Sequence, residues 1–274
     1  MKALERVFEN ARKEKRLVLL GFVTGGDPSL ELTPKIARSL VDGGVDVVEL
    51  GIPFSDPIAD GPSIQSSSMR ALRSGATPFS ILETAEEIVN DLDVPVVLLS
   101  YFNNIFRKGI DEFIALAAKS KVSGVIIPDL PVEESGEFVN IARGRMIDTI
   151  FLATPATPDD RLEKIIDSTT GFLYLVTIFG VTGARESVTD SAREVAKRFV
   201  QRVHGRIPVA VGFGVSKPEH VQLFSELGVD GVIVGSALVN IIERTIGDEP
   251  SMLSELTKFV KSLKAATNVR LSDI

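Results

Sequence analysis

Short apolar runs recur along the chain without polar alternation. They lie at about Leu17–Val23, Asp46–Leu50, Pro95–Ser100, Ser123–Ile127, Thr149–Ala153, Gly171–Thr177, Pro208–Gly212 and Asp230–Val234. Strands buried on both faces read this way, so the pattern predicts a parallel sheet. Between the runs lie segments with helical spacing, such as TPKIARSLVDGG and DEFIALAAKS. Several open on Asp, Ser or Thr beside proline, at DPSLE, TPDDR and SKPEH, which are helix-start signals. In GGVDVVEL and ELGVDGVIV a glycine ends a helix and leads into a strand.

Eight strands alternating with helices predict a (β/α)8 barrel, the TIM-barrel architecture. The rival is an open doubly wound sheet, which would carry G-x-G-x-x-G after the first strand; LLGFVTGGDPS lacks that spacing. The first ~15 residues form an additional amphipathic helix, expected to close the barrel's bottom, and ATNVRLSDI reads as a loose tail. No linker or shift in composition divides the chain, so residues 1–274 are expected to form one barrel domain.

Composition narrows the chemistry. The 274 residues are 44% hydrophobic, enough for a large core. Net charge is -7 with both signs interspersed, and the absence of a basic stripe argues against nucleic acid. There is no cysteine, which removes disulfides and thiolate metal sites and fits a reducing cytoplasm. No apolar signal core or membrane-length run is present. The two histidines, His204 and His220, fall on the turn entering the seventh strand and in a helix. Neither is placed as a general base or metal ligand, and no metal is expected.

Barrel enzymes work at the C-terminal ends of their strands. That rule selects Glu49 at the end of the second strand and Asp60 on the stiff loop IPFSDPIADGP behind it. It also selects Tyr101 and Asn103 after the third strand, Asp129 after the fourth, and Tyr174 in the sixth. VGFGVSKPE and GSALV follow the seventh and eighth strands, and their Gly212, Gly214, Gly235 and Ser236 suit a backbone phosphate site at a helix N-terminus. A buried carboxyl has a raised pKa and suits proton transfer. Each carboxylate taken singly also fits a structural role, and Asp56 in SDP reads as a turn residue. No lysine stands within or at the end of a strand, so an imine mechanism has no candidate. Carboxylates, hydroxyls and backbone then remain, a set that breaks a C–C bond only if the substrate supplies its own electron sink.

ELGIPFSDPIADGP, followed by GVTGAR, VGFGVS and DGVIVGSALV, resembles the tryptophan synthase alpha subunit family over nearly the whole chain. The resemblance implies retro-aldol cleavage of indole-3-glycerol phosphate, with the indole ring nitrogen as the sink. By motif position it implies Glu49 and Asp60 as catalytic residues. Phe22, Tyr101, Tyr174, Thr182, Gly183, Phe213, Gly214, Gly235 and Ser236 match substrate-binding positions. It implies no cofactor in this chain. Its partner would be a beta subunit carrying pyridoxal phosphate, in an alpha2-beta2 complex, met at Pro53, Phe54, Asp56 and Asp129. The chain departs from the family pattern in YFNNIF, which lacks a proline after Asn103, and at Ile178 and Phe179. Three alternatives stand beside this reading: a lyase with the same chemistry and no partner, a sugar-phosphate isomerase, and a non-catalytic binding subunit.

Overall fold

The computed structural model describes residues 1–176, 190–203, 205–212 and 214–268. The strands are β1 (Val18–Thr24), β2 (Val47–Gly51), β3 (Val96–Leu99), β4 (Gly124–Ile126), β5 (Asp148–Ile150), β6 (Leu152–Ala153), β7 (Leu173–Val176), β8 (Val209–Gly212) and β9 (Gly231–Val234). All pair in parallel, in the order β5-β4-β3-β2-β1-β9-β8-β7-β6. The two ends of this order, β5 and β6, are separated in the chain by Phe151 alone. The lower half pairs with β4 and the upper half with β7, so the fifth expected strand appears as two pieces and the sheet curls into a barrel.

Helices fill the connections: α1 (Ala3–Lys13), α2 (Leu32–Gly43), α3 (Pro62–Arg73), α4 (Pro78–Leu92), α5 (Phe102–Phe106), α6 (Ile110–Lys119), α7 (Gly136–Gly144), α8 (Asp159–Ser168), α9 (Asp190–Val203), α10 (Pro218–Glu226), α11 (Ser236–Arg244) and α12 (Glu249–Ala265). The SKPEH signal starts α10, with proline in its first turn. DPSLE does not start a helix directly. Helix α2 begins only at Leu32, because the Asp27 carboxyl is taken by Arg70 and the backbone N–H of Gly26 donates to Thr33. Gly44 ends α2 in the left-handed conformation expected of a helix-terminating glycine. No helix among the described residues is long and apolar enough to cross a membrane.

The continuous apolar runs are divided between two cores. Leu19, Val48, Leu98 and Val211 face outward and pack with the helices. Val18, Leu20, Val47, Val97, Ile126, Ile150, Tyr174, Ala210 and Ile233 face inward and fill the barrel. Alternation is therefore present along each strand, but both faces are apolar. Leu4, Phe8 and Ala11, which lie on one face of α1, join the inner core at its bottom, where Phe8 meets Phe172 with ring centroids 5.7 Å apart. Lys2 adds an ion pair to buried Asp148, with Nζ 2.7 Å from Oδ1.

The plug predicts a measurable stability cost. Phe8→Ala should destabilise the chain by about 3–5 kcal/mol, the usual range for truncating a buried phenylalanine. Urea unfolding checks it; an unchanged midpoint would remove α1 from the core.

Candidate active site

Period two carries the inner core upward to the mouth. On β2 the inward residues are Val47, then Glu49, then Gly51; on β1 they are Val18, Leu20 and Phe22. Phe22 and Glu49 are register partners, and Glu49 is also paired with Val97 of β3. Glu49 is therefore not the end of its strand, as its sequence suggested: Leu50 and Gly51 extend the ladder beyond it. That extension seats the carboxyl inside the wall, where Glu49 is 1% exposed.

Glycines empty the layer around it. A Cβ on Gly212 would stand 2.3 Å from the Tyr174 hydroxyl, and one on Gly51 2.8 Å from Phe22 Cζ. The Phe22 ring also lies beside Gly235, 3.4 Å from where its Cβ would be. Gly51 and Gly212 thus continue the inward faces of β2 and β8, and their missing side chains give Phe22 and Tyr174 room in the mouth. Gly51 was not singled out from sequence. Its signal was an inward strand position occupied by glycine directly beyond a glutamate.

The two carboxyls are held differently. Glu49 Oε2 is buried without a hydrogen-bond partner among the described residues. Burial first, and the charge of Asp60 second, push the Glu49 pKa up to about 8. Asp60 lies two residues before α3, partly buried on the loop after β2. Burial raises it to about 6, against a hydrogen bond from Tyr101 that lowers it. At neutral pH the pair therefore contains a neutral acid, Glu49, and an ionised carboxylate, Asp60. Two carboxyls pushed apart in this way assign an acid and an anion to separate roles.

Tyr101 organises the Asp60 loop. Its hydroxyl accepts from the Ala59 N–H at 2.9 Å and bonds the Asp60 carboxyl. Its ring stacks on Phe54 at 5.2 Å, and burial keeps the phenol neutral. Asp129 accepts from the Phe102 N–H at 2.8 Å, which anchors the start of α5 and so the Tyr101 backbone. Pro53 is buried and Phe54 is half-buried against Tyr101, whereas Asp56 and Ile58 are exposed at the loop's tip. Asn103 is exposed, and Asn104 points its amide at the Pro53 carbonyl, 3.5 Å away.

On the other side of the mouth, α11 begins at Ser236 directly after Gly235. The first helical bonds run from Leu238 and Val239 to Gly235, so the N–H groups of Ser236 and Ala237 precede them. Those donors and the helix dipole suit an anion. Gly214 has φ +83°, a left-handed turn that a side chain would strain, and its carbonyl lies 2.7 Å from His220 Nδ1. His220 thus braces the loop after β8. Thr182, Gly183, Phe213 and His204, with Ile178 and Phe179, lie outside the described residues.

The buried Glu49 predicts a pH-dependent stability penalty. Its folded pKa is raised, so the folded state favours the protonated form. Its contribution is fully present below the ordinary value of 4.5 and is lost as pH rises through about 8. Glu49→Gln should therefore match wild type at pH 4 and exceed it in stability at pH 9. Equal unfolding midpoints at pH 9 would contradict the uncompensated burial.

Comparison with known proteins agrees with this geometry. The family model described as tryptophan synthase alpha chain matches residues 8–268. The chain is 48% identical to the tryptophan synthase alpha chain of Methanopyrus kandleri, covering 93% of this chain and 92% of that one. It is 40% identical to that of Arabidopsis thaliana, over 96% and 94%. The solved tryptophan synthase subunit alpha of Legionella pneumophila superposes with a TM-score of 0.88 at 31% identity, over 97% and 98% of the two chains. A barrel with these carboxyls at its mouth, matched over nearly its full length at such identities, belongs to the tryptophan synthase alpha chain family.

Proposed function

We propose that this chain is a carbon–carbon lyase that cleaves indole-3-glycerol phosphate to indole and glyceraldehyde 3-phosphate. The observation that carries the reading is the pairing of a buried, neutral Glu49 with an ionised Asp60 in one mouth. Glu49 donates its proton to C3 of the indole. The ring then carries a positive charge at nitrogen, which Asp60 stabilises by accepting the N–H. Loss of the proton from the hydroxyl on the adjacent glycerol carbon forms the aldehyde, and the electrons of the breaking C–C bond return to the ring and restore indole. Glu49, now ionised, is the base closest in kind to take that proton, so the step consumes none overall. Phe22 and Tyr174 offer aromatic walls, and the phosphate is assigned to Gly214, Gly235 and Ser236 with Gly183. No cofactor enters these steps.

The partner is a beta subunit carrying pyridoxal phosphate, which receives the indole in an alpha2-beta2 assembly in the cytoplasm. The exposed side chains of Ile58, on the loop after β2, and Phe106, at the end of α5, support a docking surface at this end of the barrel. Large apolar groups exposed near a site mark interaction surfaces. Asp56 lies on the same loop as Ile58.

Indole release is the direct test. Glu49→Gln and Asp60→Asn should each lower kcat by about 10²-fold or more, the usual worth of a positioned acid–base or charge-stabilising group. Undiminished release by either variant would sink its assignment. A wild type that releases no indole, with or without a beta subunit, would sink the reaction.

A further inference from the structure

Helix α3, which follows Asp60, is not docked by an apolar stripe of the kind that ordinarily seats a helix on a barrel. Its buried residues are Ser67, Ser68 and Ala71. Polar groups at Ser67, Arg70 and Ser74, on one side of the helix and its end, grip the barrel instead. Ser67 Oγ lies 2.6 Å from Thr24 Oγ1. Arg70 donates through Nε and NH2 to the two carboxyl oxygens of Asp27, at 2.8 and 2.9 Å. Ser74 Oγ donates to the Gly26 carbonyl at 2.9 Å. All three partners stand at or just beyond the end of β1, the strand that carries Phe22.

The Arg70–Asp27 fork is the directional member of this set. Two parallel bonds to a planar carboxylate fix rotation and slide together, which a hydrophobic contact does not. Asp27 is 1% exposed, and its burial outweighs Arg70 and raises its pKa. Such a pair adds little to stability relative to apolar packing, and its use is to specify a placement. Arg70 also reaches a second helix: NH1 donates to Glu243 of α11 at 2.7 Å. Helix α11 begins at the proposed phosphate donors. At the opposite end of α3, Gln65 Nε2 donates to the Asp60 carbonyl at 2.8 Å, so Asp60 moves with this helix.

We infer that Arg70 is a positioning residue of the reaction, holding α3 and α11 in the one relative placement that sets Asp60 in the mouth with Glu49 while α11 receives the phosphate. This rests on the roles given to Asp60 and α11 under the proposed function. Arg70 touches neither carboxyl of the site in the contacts described. Its sequence neighbourhood, SSMRALR, carries no motif.

Arg70→Lys tests it, because lysine keeps the charge and loses the fork. Among the described residues the ionisable groups facing Asp60 are Glu49 from β2, Tyr101 from the start of α5 and Tyr174 from β7, and none is altered by the substitution. In protein labelled with 13C at aspartate carboxyls, the signal missing in Asp60→Asn identifies Asp60. Its titration midpoint near 6 should fall towards the ordinary aspartate value as α3 loosens. The kcat should fall about 10- to 100-fold, by more than any rise in KM from the lost Glu243 contact, the signature of a misplaced group in addition to weakened binding. Glu243→Gln keeps the Asp27 fork and should raise KM about threefold or more with kcat retained. An unmoved Asp60 titration with wild-type kcat per folded molecule in Arg70→Lys would overturn the inference. If Arg70→Lys does not fold, Glu243→Gln decides, and an unchanged KM overturns it. The titration is read without substrate, so a wild type that does not cleave indole-3-glycerol phosphate overturns the reaction and leaves the positioning test standing.

Discussion

A carboxyl buried without a partner is the constraint around which the mouth of this barrel is built. Among the described residues Glu49 Oε2 has no hydrogen-bond donor, and its side chain is inside the wall. Such a group is costly unless it stays neutral. Neutrality is what proton donation at ordinary pH requires, so under the proposed reaction the cost and the chemistry have one source. The rest of the barrel tolerates the cost. The inner core below Glu49 is apolar, and α1 closes it from the bottom with Leu4, Phe8 and Ala11. The inner face at the mouth is left to glycine, aromatic rings and the carboxyls.

The second carboxyl needs the opposite environment. Asp60 is on a loop and retains a hydrogen bond from Tyr101, so it ionises more readily than Glu49. Its placement is secured from both sides. Phe54 and Ala59 pack and bond to Tyr101, while Gln65, on the first turn of α3, holds the Asp60 carbonyl. Asp129 fixes the start of the helix that carries Tyr101. Loops after three neighbouring strands therefore brace one another, and a surface formed by them would sense the position of Asp60. The exposed tip at Asp56 and Ile58 is part of that same unit.

Much of this was legible beforehand because it is local. Apolar runs of strand length, glycine at helix ends, and proline after Lys217 each act over a few residues. Glu49 and Asp60 stood out because a barrel rule converts strand order into position at one end. Other features were misread for equally physical reasons. Asp27 looked like a helix-start residue, yet Arg70, distant in sequence, competes successfully for its carboxyl. The loop at Phe54 looked self-contained, yet its ring stacks on Tyr101, which meets it only in the folded chain.

The amino-acid sequence by itself determined the alternation of strands and helices, the closing helix at the start, and the absence of lysine, cysteine or histidine suited to the chemistry. Those follow from periodicity and composition, which are properties of neighbours in the chain. Only the tertiary structure decided that Glu49 faces inward, that it lacks a hydrogen-bond partner among the described residues, and that its pKa and that of Asp60 separate. It also decided that Gly51 and Gly212 make room for Phe22 and Tyr174, and that Arg70 joins α3 to both Asp27 and α11. Burial, close approach and charge coupling depend on residues that meet only when the barrel closes.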